Sequence, residues 1–251
     1  MSCSTSRATN NPLCKMDFAI IAAGQGSRLV DEGISRPKPL VELDGRPMIG
    51  RLIDIFAACG ARRVAVIVNE QMTEVADYLR SRHDGPEICL TVKTTAGSME
   101  SFAEVTSLLG DSRRFIVTTV DTIFREDDFK AYVDAFENAD DDCDGMMAVT
   151  SYIEDEKPLY VDIDPANGLI RGFLDRPAGG VDHVSGGIYG LTRPALTVLG
   201  SCVAAGVNRM RDYQRALIAA GLKLRAYDFP KIIDVDHASD IARAREFIEG
   251  E

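Results

Sequence analysis

Between residues 17 and 139, short apolar runs alternate with stretches whose apolar residues return every three or four positions. "FAIIAA" (18–23) and "RVAVIVN" (63–69) are continuous enough to predict strands buried on both faces. "ICLTVK" (88–93) and "RFIVTTVDTIF" (114–124) also read as strands, the latter running into an aspartate. "MIGRLIDIFAACG" (48–60) and "SMESFAEVTSLLG" (98–110) carry helical spacing and stop on a glycine. "EVADYLRSR" (74–82) and "EDDFKAYVDAFENA" (126–139) read as helices, the second with acids in its first turn, where the helix dipole favours them. This β-α-β-α rhythm predicts a mainly parallel sheet with helices on both faces.

From about residue 145 the pattern changes. "GMMAVTSY", "LYVDID", "LIRGFLD" and "GGIYGL" are short strand-like runs, with "DPANG" (164–168) a hairpin turn between two of them. Helix returns at "VNRMRDYQRALIAAG" (207–221), then a strand at "LRAYDF" and a last helix at "ASDIARAREFIEG", with Ser239 or Asp240 near its cap. The acidic run "ADDDCD" (139–144) lacks the spacing and glycine of a calcium loop and reads as solvated. No internal repeat is visible.

Composition narrows the function. The 251 residues are 45% apolar and 27% charged, enough for a sizeable core. A net charge of −11 argues against a general binder of nucleic acid or anionic membrane. No run approaches the roughly 18 apolar residues of a membrane span, and residues 1–16 lack the apolar stretch of a signal peptide. Residues 1–16 are expected to be a disordered leader before a single domain over 17–251, with halves at 17–145 and 146–251. The six cysteines form no C-x-x-C pair, so free thiols in a reducing cytoplasm are expected rather than zinc or disulfides. Against the acidic whole, residues 28–51 hold five cations (Arg28, Arg36, Lys38, Arg46, Arg51) and four acids, which suggests a focused anion site.

That segment opens with "AAGQGSRL" (22–29) directly after the first strand. A Gly-rich turn there gathers backbone N–H groups into a concavity suited to phosphate oxygens. A P-loop would need G-K-[ST], which is absent, and a dinucleotide fingerprint would need a small residue where Leu29 stands. A third reading is a nucleoside-triphosphate loop supplemented by fixed cations. Arg28 can fork across phosphate oxygens, and Lys38 offers a point charge on a segment stiffened by Pro37 and Pro39. An ordinary strand-to-helix turn with an incidental arginine is the plain alternative for "GQG" alone.

The whole stretch "AIIAAGQGSRL...RPKPLVELDGRPMI" closely resembles the N-terminal signature of the sugar-1-phosphate nucleotidyltransferases, or NDP-sugar pyrophosphorylases. Those carry A-A-G-x-G-[ST]-R-L, then P-K-P-L, then G-x-P-[ML]-[IL]. The resemblance implies a Rossmann-like three-layer α/β/α nucleotidyltransferase fold with a mostly parallel, mixed central sheet. It also implies a loop of Ala22, Ala23, Gly24, Gly26 and Ser27 that wraps the triphosphate. It gives Arg28 the role of holding the phosphates and stabilising the transition state, and Lys38 a contact to the reacting phosphate.

Such a reaction uses Mg²⁺, a hard cation that prefers carboxylate, phosphate and water oxygens. Asp121, in "TTVDTIF", stands at the predicted carboxyl end of a parallel strand, where α/β sheets bind ligands, and is similar to the family's strand-end metal aspartate. "KIIDVDHASDI" (231–241) resembles the family's late D-x-G-T-x-x-D-[LI] segment or its E-x-D-x-x-x-D-[LI] version. It implies Asp234 as a metal ligand, Asp236 as a second ligand or supporting group, and Asp240 as a structural cap.

"GLIRGFLDRP...HVSGGIYGL" resembles the acceptor half of the family, with Arg176 at the position of a lysine and Gly186 and Gly187 beside the sugar; a bulge is the plain alternative for those glycines. The base-reading stretch Q-x-x-P-x-G-T-A is replaced by "VKTTAGSMESF". There Gly97 and Ser101 resemble the nucleotide-binding segment of small cytidylyltransferases, including those acting on phosphocholine or inositol phosphate. The partners expected are an NTP and a phosphorylated small-molecule acceptor, most readily a sugar 1-phosphate. The attacking phosphate is itself largely dianionic at neutral pH, with a second pKa of about 6, so no general base is required. None of the three histidines is assigned a chemical role. A non-catalytic nucleotide sensor is the reading from another class, but it is expected to have lost an acid or Lys38. A molybdopterin-type nucleotidyltransferase shares the opening motif but not the "IRGFLDRP...GGIYGL" excursion.

Overall fold

The computed structural model describes residues 16–250. Met16 begins the first strand; the rest of the expected leader lies outside the described residues. The first half runs β1 (Met16–Ala22), α1 (Ser27–Asp31), a 3-10 turn (Lys38–Leu40), β2 (Glu42–Leu43), β3 (Arg46–Pro47), α2 (Met48–Ala58), β4 (Arg63–Val68), α3 (Thr73–Ser81), β5 (Glu87–Val92), α4 (Ser98–Thr106), β6 (Arg114–Thr119), β7 (Thr122–Ile123) and α5 (Glu126–Glu137). The second half runs β8 (Gly145–Thr150), β9 (Tyr160–Ile163), β10 (Ile170–Leu174), β11 (His183–Thr192), α6 (Arg193–Ala204), α7 (Met210–Ala219), β12 (Leu224–Asp228), β13 (Ile233–Asp234) and α8 (Ala238–Glu249).

One mixed sheet crosses both halves. β5, β4, β1 and β6 lie side by side and parallel, and β11 continues the sheet antiparallel to β6. β11 also pairs with β8, which carries β12 in parallel, and its first residues meet β9 of the β9–β10 hairpin. β1 shows why the sheet is covered twice. Phe18, Ile20 and Ala22 pack with Phe56 of α2 and Phe129 of α5, whereas Ala19, Ile21 and Ala23 pack with Phe102 of α4 and Tyr213 of α7. A third cluster joins Leu29, Val41, Met48, Ile123, Ile233, Val235 and Ile241. It ties α1, the segment after Lys38, β7, β13 and α8 into one apolar wedge below the cleft. Complete burial of a side chain such as Leu29 is worth about 1.5–3 kcal/mol. No helix among the described residues is long and apolar enough to cross a membrane.

The three-layer arrangement matches the sequence-based expectation, with four local differences. The strand expected over 114–124 stops at Thr119, turns at Asp121 and resumes as β7, because β7 leaves the main sheet to pair with β13. α4 ends at Thr106 rather than 110, and α7 begins at Met210 rather than 207. α6 was not foreseen, although Pro194 in its first turn and Ala195, Leu199 and Cys202 at helical spacing signal it. The "ADDDCD" loop is solvated but tethered: Asp142 pairs with Lys223, and Asp140 with Arg225 on β12. Cys59, Cys89, Cys143 and Cys202 are free thiols.

Candidate active site

The opening loop leaves β1 at the carboxyl end of the parallel strands. Gly26 adopts a left-handed φ of +62°, and a Cβ there would lie 2.9 Å from Lys38 Cβ. Both conditions call for glycine. Gly24 and Ser27 are exposed on the same loop, and Ala22 and Ala23 are buried beneath it. The Lys38 side chain is only 8% exposed, yet its ammonium reaches the cleft and donates to Asp121 Oδ2 at 2.5 Å and to Asp236 Oδ1 at 2.7 Å. Burial alone would lower the Lys38 pKa, but the two carboxylates outweigh it and hold the ammonium above its usual range. Arg28 donates to the other oxygen of Asp236 at 2.7 Å. Asp236 therefore ties the two cations together with both of its oxygens.

Asp121 sits in the turn between β6 and β7. Burial would raise its carboxyl pKa, but Lys38 and Thr119 bring it below the usual carboxylate range. Asp234 lies across the two-stranded β7–β13 ladder, opposite Thr122, and opens into the cleft. Crowding by the surrounding protein, and then the charge of Asp121, push its carboxyl above the usual carboxylate range. Two neighbouring acids that resist simultaneous ionisation form a donor set that a hard divalent cation would relieve. No group of three acid, histidine or cysteine side chains suited to a metal occurs among the described residues. Asp121 and Asp234 would therefore need phosphate and water oxygens to complete a coordination shell, as is usual for Mg²⁺.

The loop carrying Asp236 is held from both sides. Asp240, in the first turn of α8, accepts from the backbone N–H groups of Asp236 (2.9 Å) and His237 (2.7 Å). The residue capping α8 is His237, so neither Ser239 nor Asp240 occupies the cap itself; Asp240 is the reciprocal partner in a capping box. Glu32, after α1, accepts from Ala238 N–H at 2.6 Å and lies 2.6 Å from His237 Nδ1. This clamp binds the segment after α1 to the Asp236 loop. Its residues are far apart in sequence, and no local motif announced it.

Two pockets meet at Asp121. On one side the opening loop, Lys38, Asn69, Thr95, Gly97 and Ser101 enclose a cleft of ≈ 620 Å³, within the range of about 300–1,000 Å³ usual for small-molecule sites. Gly97 starts α4 in ordinary extended backbone, and a Cβ there would strike the carbonyl of Asn208 at 2.6 Å. Ser101 is buried and hydrogen-bonded to Thr95 at 2.6 Å. Asn69 went unremarked in the sequence, although it ends a buried parallel strand as Asp121 does. On the other side, Gly187, Ser185, Asp234, Lys157, Arg209 and Arg211 line a second pocket. Gly187 has a φ of +73°, and a Cβ would meet Thr122 Oγ1 at 2.6 Å; Gly186 faces Ile232 instead. The β11–β8 register shifts between Ser185 and Tyr189, so these glycines form a bulge, and the bulge lines the cleft. Arg176 stands exposed in the turn after β10. The cations lining the second pocket are Lys157, Arg209 and Arg211.

The fold and the glycine-rich loop after β1 point to one class, and the comparisons agree with it. Residues 18–174 match the model of the MobA-like NTP transferase domain, and the chain belongs to that family. The match takes in the phosphate loop and Asp121. A mannose-1-phosphate guanyltransferase of Kluyveromyces lactis is 31% identical over 182 residues, covering 69% of this chain and 49% of that protein. The inositol-1-phosphate CTP transferase of T. maritima superposes with a TM-score of 0.74 at 17% identity, covering 93% of this chain and 98% of that one. A Bacillus anthracis protein described as a glucose-1-phosphate thymidylyltransferase gives 0.79 at 22% identity, covering 92% and 94%. The chain spans about half the length of the curated relatives it matches first, at 52% and 49%.

Proposed function

We propose that this chain transfers a nucleoside monophosphate from an NTP to a phosphorylated small molecule and releases pyrophosphate. The observation that carries this is Lys38, which lines the loop-side pocket and is held by Asp236 and by Asp121, the residue at which the two pockets meet. One pocket, behind the glycine loop, suits a triphosphate; the other suits the acceptor. A fixed ammonium at their junction faces the place where negative charge builds up in the transition state. Arg28, aimed by Asp236, would steady the departing pyrophosphate. The incoming phosphate is already ionised at neutral pH, so the chain's task is in-line positioning and charge neutralisation. Asp121 and Asp234 would hold Mg²⁺, which supplies charge neutralisation on the phosphates when bound.

A sugar 1-phosphate is the acceptor supported by the similarity to the mannose-1-phosphate guanyltransferase. A cytidylyltransferase acting on a non-sugar phosphate is the second reading, favoured by Gly97 and Ser101 and by the likeness to the inositol-1-phosphate CTP transferase. The test is pyrophosphate release with Mg²⁺, each common NTP being paired with sugar 1-phosphates, inositol 1-phosphate and phosphocholine. One productive pair, lost in Asp121→Ala, supports the reading and names base and acceptor. NTP binding without turnover in any pair would instead favour a sensor.

A further inference from the structure

The acceptor-side pocket adjoins a second, outer one, and Lys157, Arg209 and Arg211 line both. The rim they form is more positive than its own pairing requires. Arg211 donates to Asp175 Oδ1 at 2.7 Å, and Arg215 lies 2.8 Å from the same oxygen. Arg209 and Arg215 both pair with Asp212. Among the described residues, no carboxylate pairs with the exposed Lys157. Two further acids are close. Glu156 lines the outer pocket and is engaged at longer range by Arg28 (3.9 Å) and His237 (3.6 Å), and Asp155 lines the inner pocket but not the outer one. Three cations, Lys157, Arg209 and Arg211, thus line the outer pocket against two carboxylates that are already engaged, Asp175 and Glu156, in a chain whose net charge is −11.

The phosphate that reacts has to lie at the inner end, beside Asp121, Asp234 and Lys38, to reach the nucleotide. It is neutralised there and leaves the rim unmatched. A neutral polyol would be met by free carboxylates and amides; Asp155 and Gln214 offer these only in the inner pocket, whereas at the outer rim the Asp175 oxygen is already shared by two arginines. We infer that the acceptor carries a second anionic group, a carboxylate or a phosphate, bound by Lys157, Arg209 and Arg211 at the end remote from the reacting phosphate. This rests on the nucleotidyl-transfer reading and narrows its substrate class. It disfavours a cationic acceptor such as phosphocholine, which would place like charge against the rim.

The test compares kcat/KM, by pyrophosphate release, for four acceptors that share one ring. These are glucose 1-phosphate, glucuronic acid 1-phosphate, glucose 1,6-bisphosphate and glucosamine 1-phosphate. The two acidic acceptors should exceed glucose 1-phosphate by about tenfold or more, with glucosamine 1-phosphate lowest. Their order relative to each other separates carboxylate from phosphate. An Arg209→Gln/Arg211→Gln variant should remove the preference. Lys157→Gln, at an exposed side chain, should reduce it without disturbing Asp175. Preference for the neutral or cationic compound, or a preference that survives these substitutions, overturns the inference. Absence of pyrophosphate with every NTP and acceptor would overturn the transfer reading itself, and this inference with it.

Discussion

The Lys38 side chain is almost fully buried, and two carboxylates fix its ammonium at the cleft. Replacing it with methionine should lower kcat by about 10²–10³-fold, the cost typical of losing one preorganised donor at a transition-state charge. Circular dichroism would show whether the fold persists. Gly187 gives a second expectation at this scale. Gly187→Ala forces a side chain into a left-handed backbone and against Thr122 Oγ1, so stability should fall by about 1–3 kcal/mol, read by urea denaturation. The proline frame and the glycines made Lys38 and Arg28 legible in the sequence. The double grip of Asp236 was not legible, since its partners stand 198 and 208 residues away along the chain.

Among the elements, the start of α8 matters most to the site. Asp240 gathers two N–H groups of the loop that carries Asp236, so Asp240→Ala should cost about 1–2 kcal/mol of stability. It should also reduce turnover, since Asp236 aims Arg28 and Lys38. Thermal unfolding and a rate assay on the same sample check both; full activity with lowered stability would leave Asp240 purely structural. Elements with a strong apolar period, such as β1, β4 and α2, were legible from sequence. The break of β6 at Asp121 was not, because only the tertiary pairing of β7 with β13 ends the strand there. The apolar spacing of α6 is present in the sequence, but the meeting of Arg209 and Arg211 with Lys157 is not, since the fold brings these residues together from distant segments.

At the scale of the molecule, the sheet unites the halves through the β6–β11 ladder, and an apolar wedge under the cleft holds the phosphate loop against the acids of the second half. The alternation of strands and helices foretold this layering, but it could not show that Asp121, Asp234 and Lys38 converge. If the attacking group is a phosphate needing no side-chain base, kcat/KM for the acceptor should rise once, near pH 6, and then stay level. A profile with a second limb near neutrality that persists in Asp234→Asn would point to a protein base instead. The central claim concerns which bond of the NTP breaks. It is tested most directly by following an α-³²P-labelled NTP with Mg²⁺ and acceptor. The account expects the label to enter the acceptor product in equal amount with pyrophosphate, and to stay in the NTP in Asp121→Asn. Release of orthophosphate with no labelled product, or equal transfer by the variant, would contradict it.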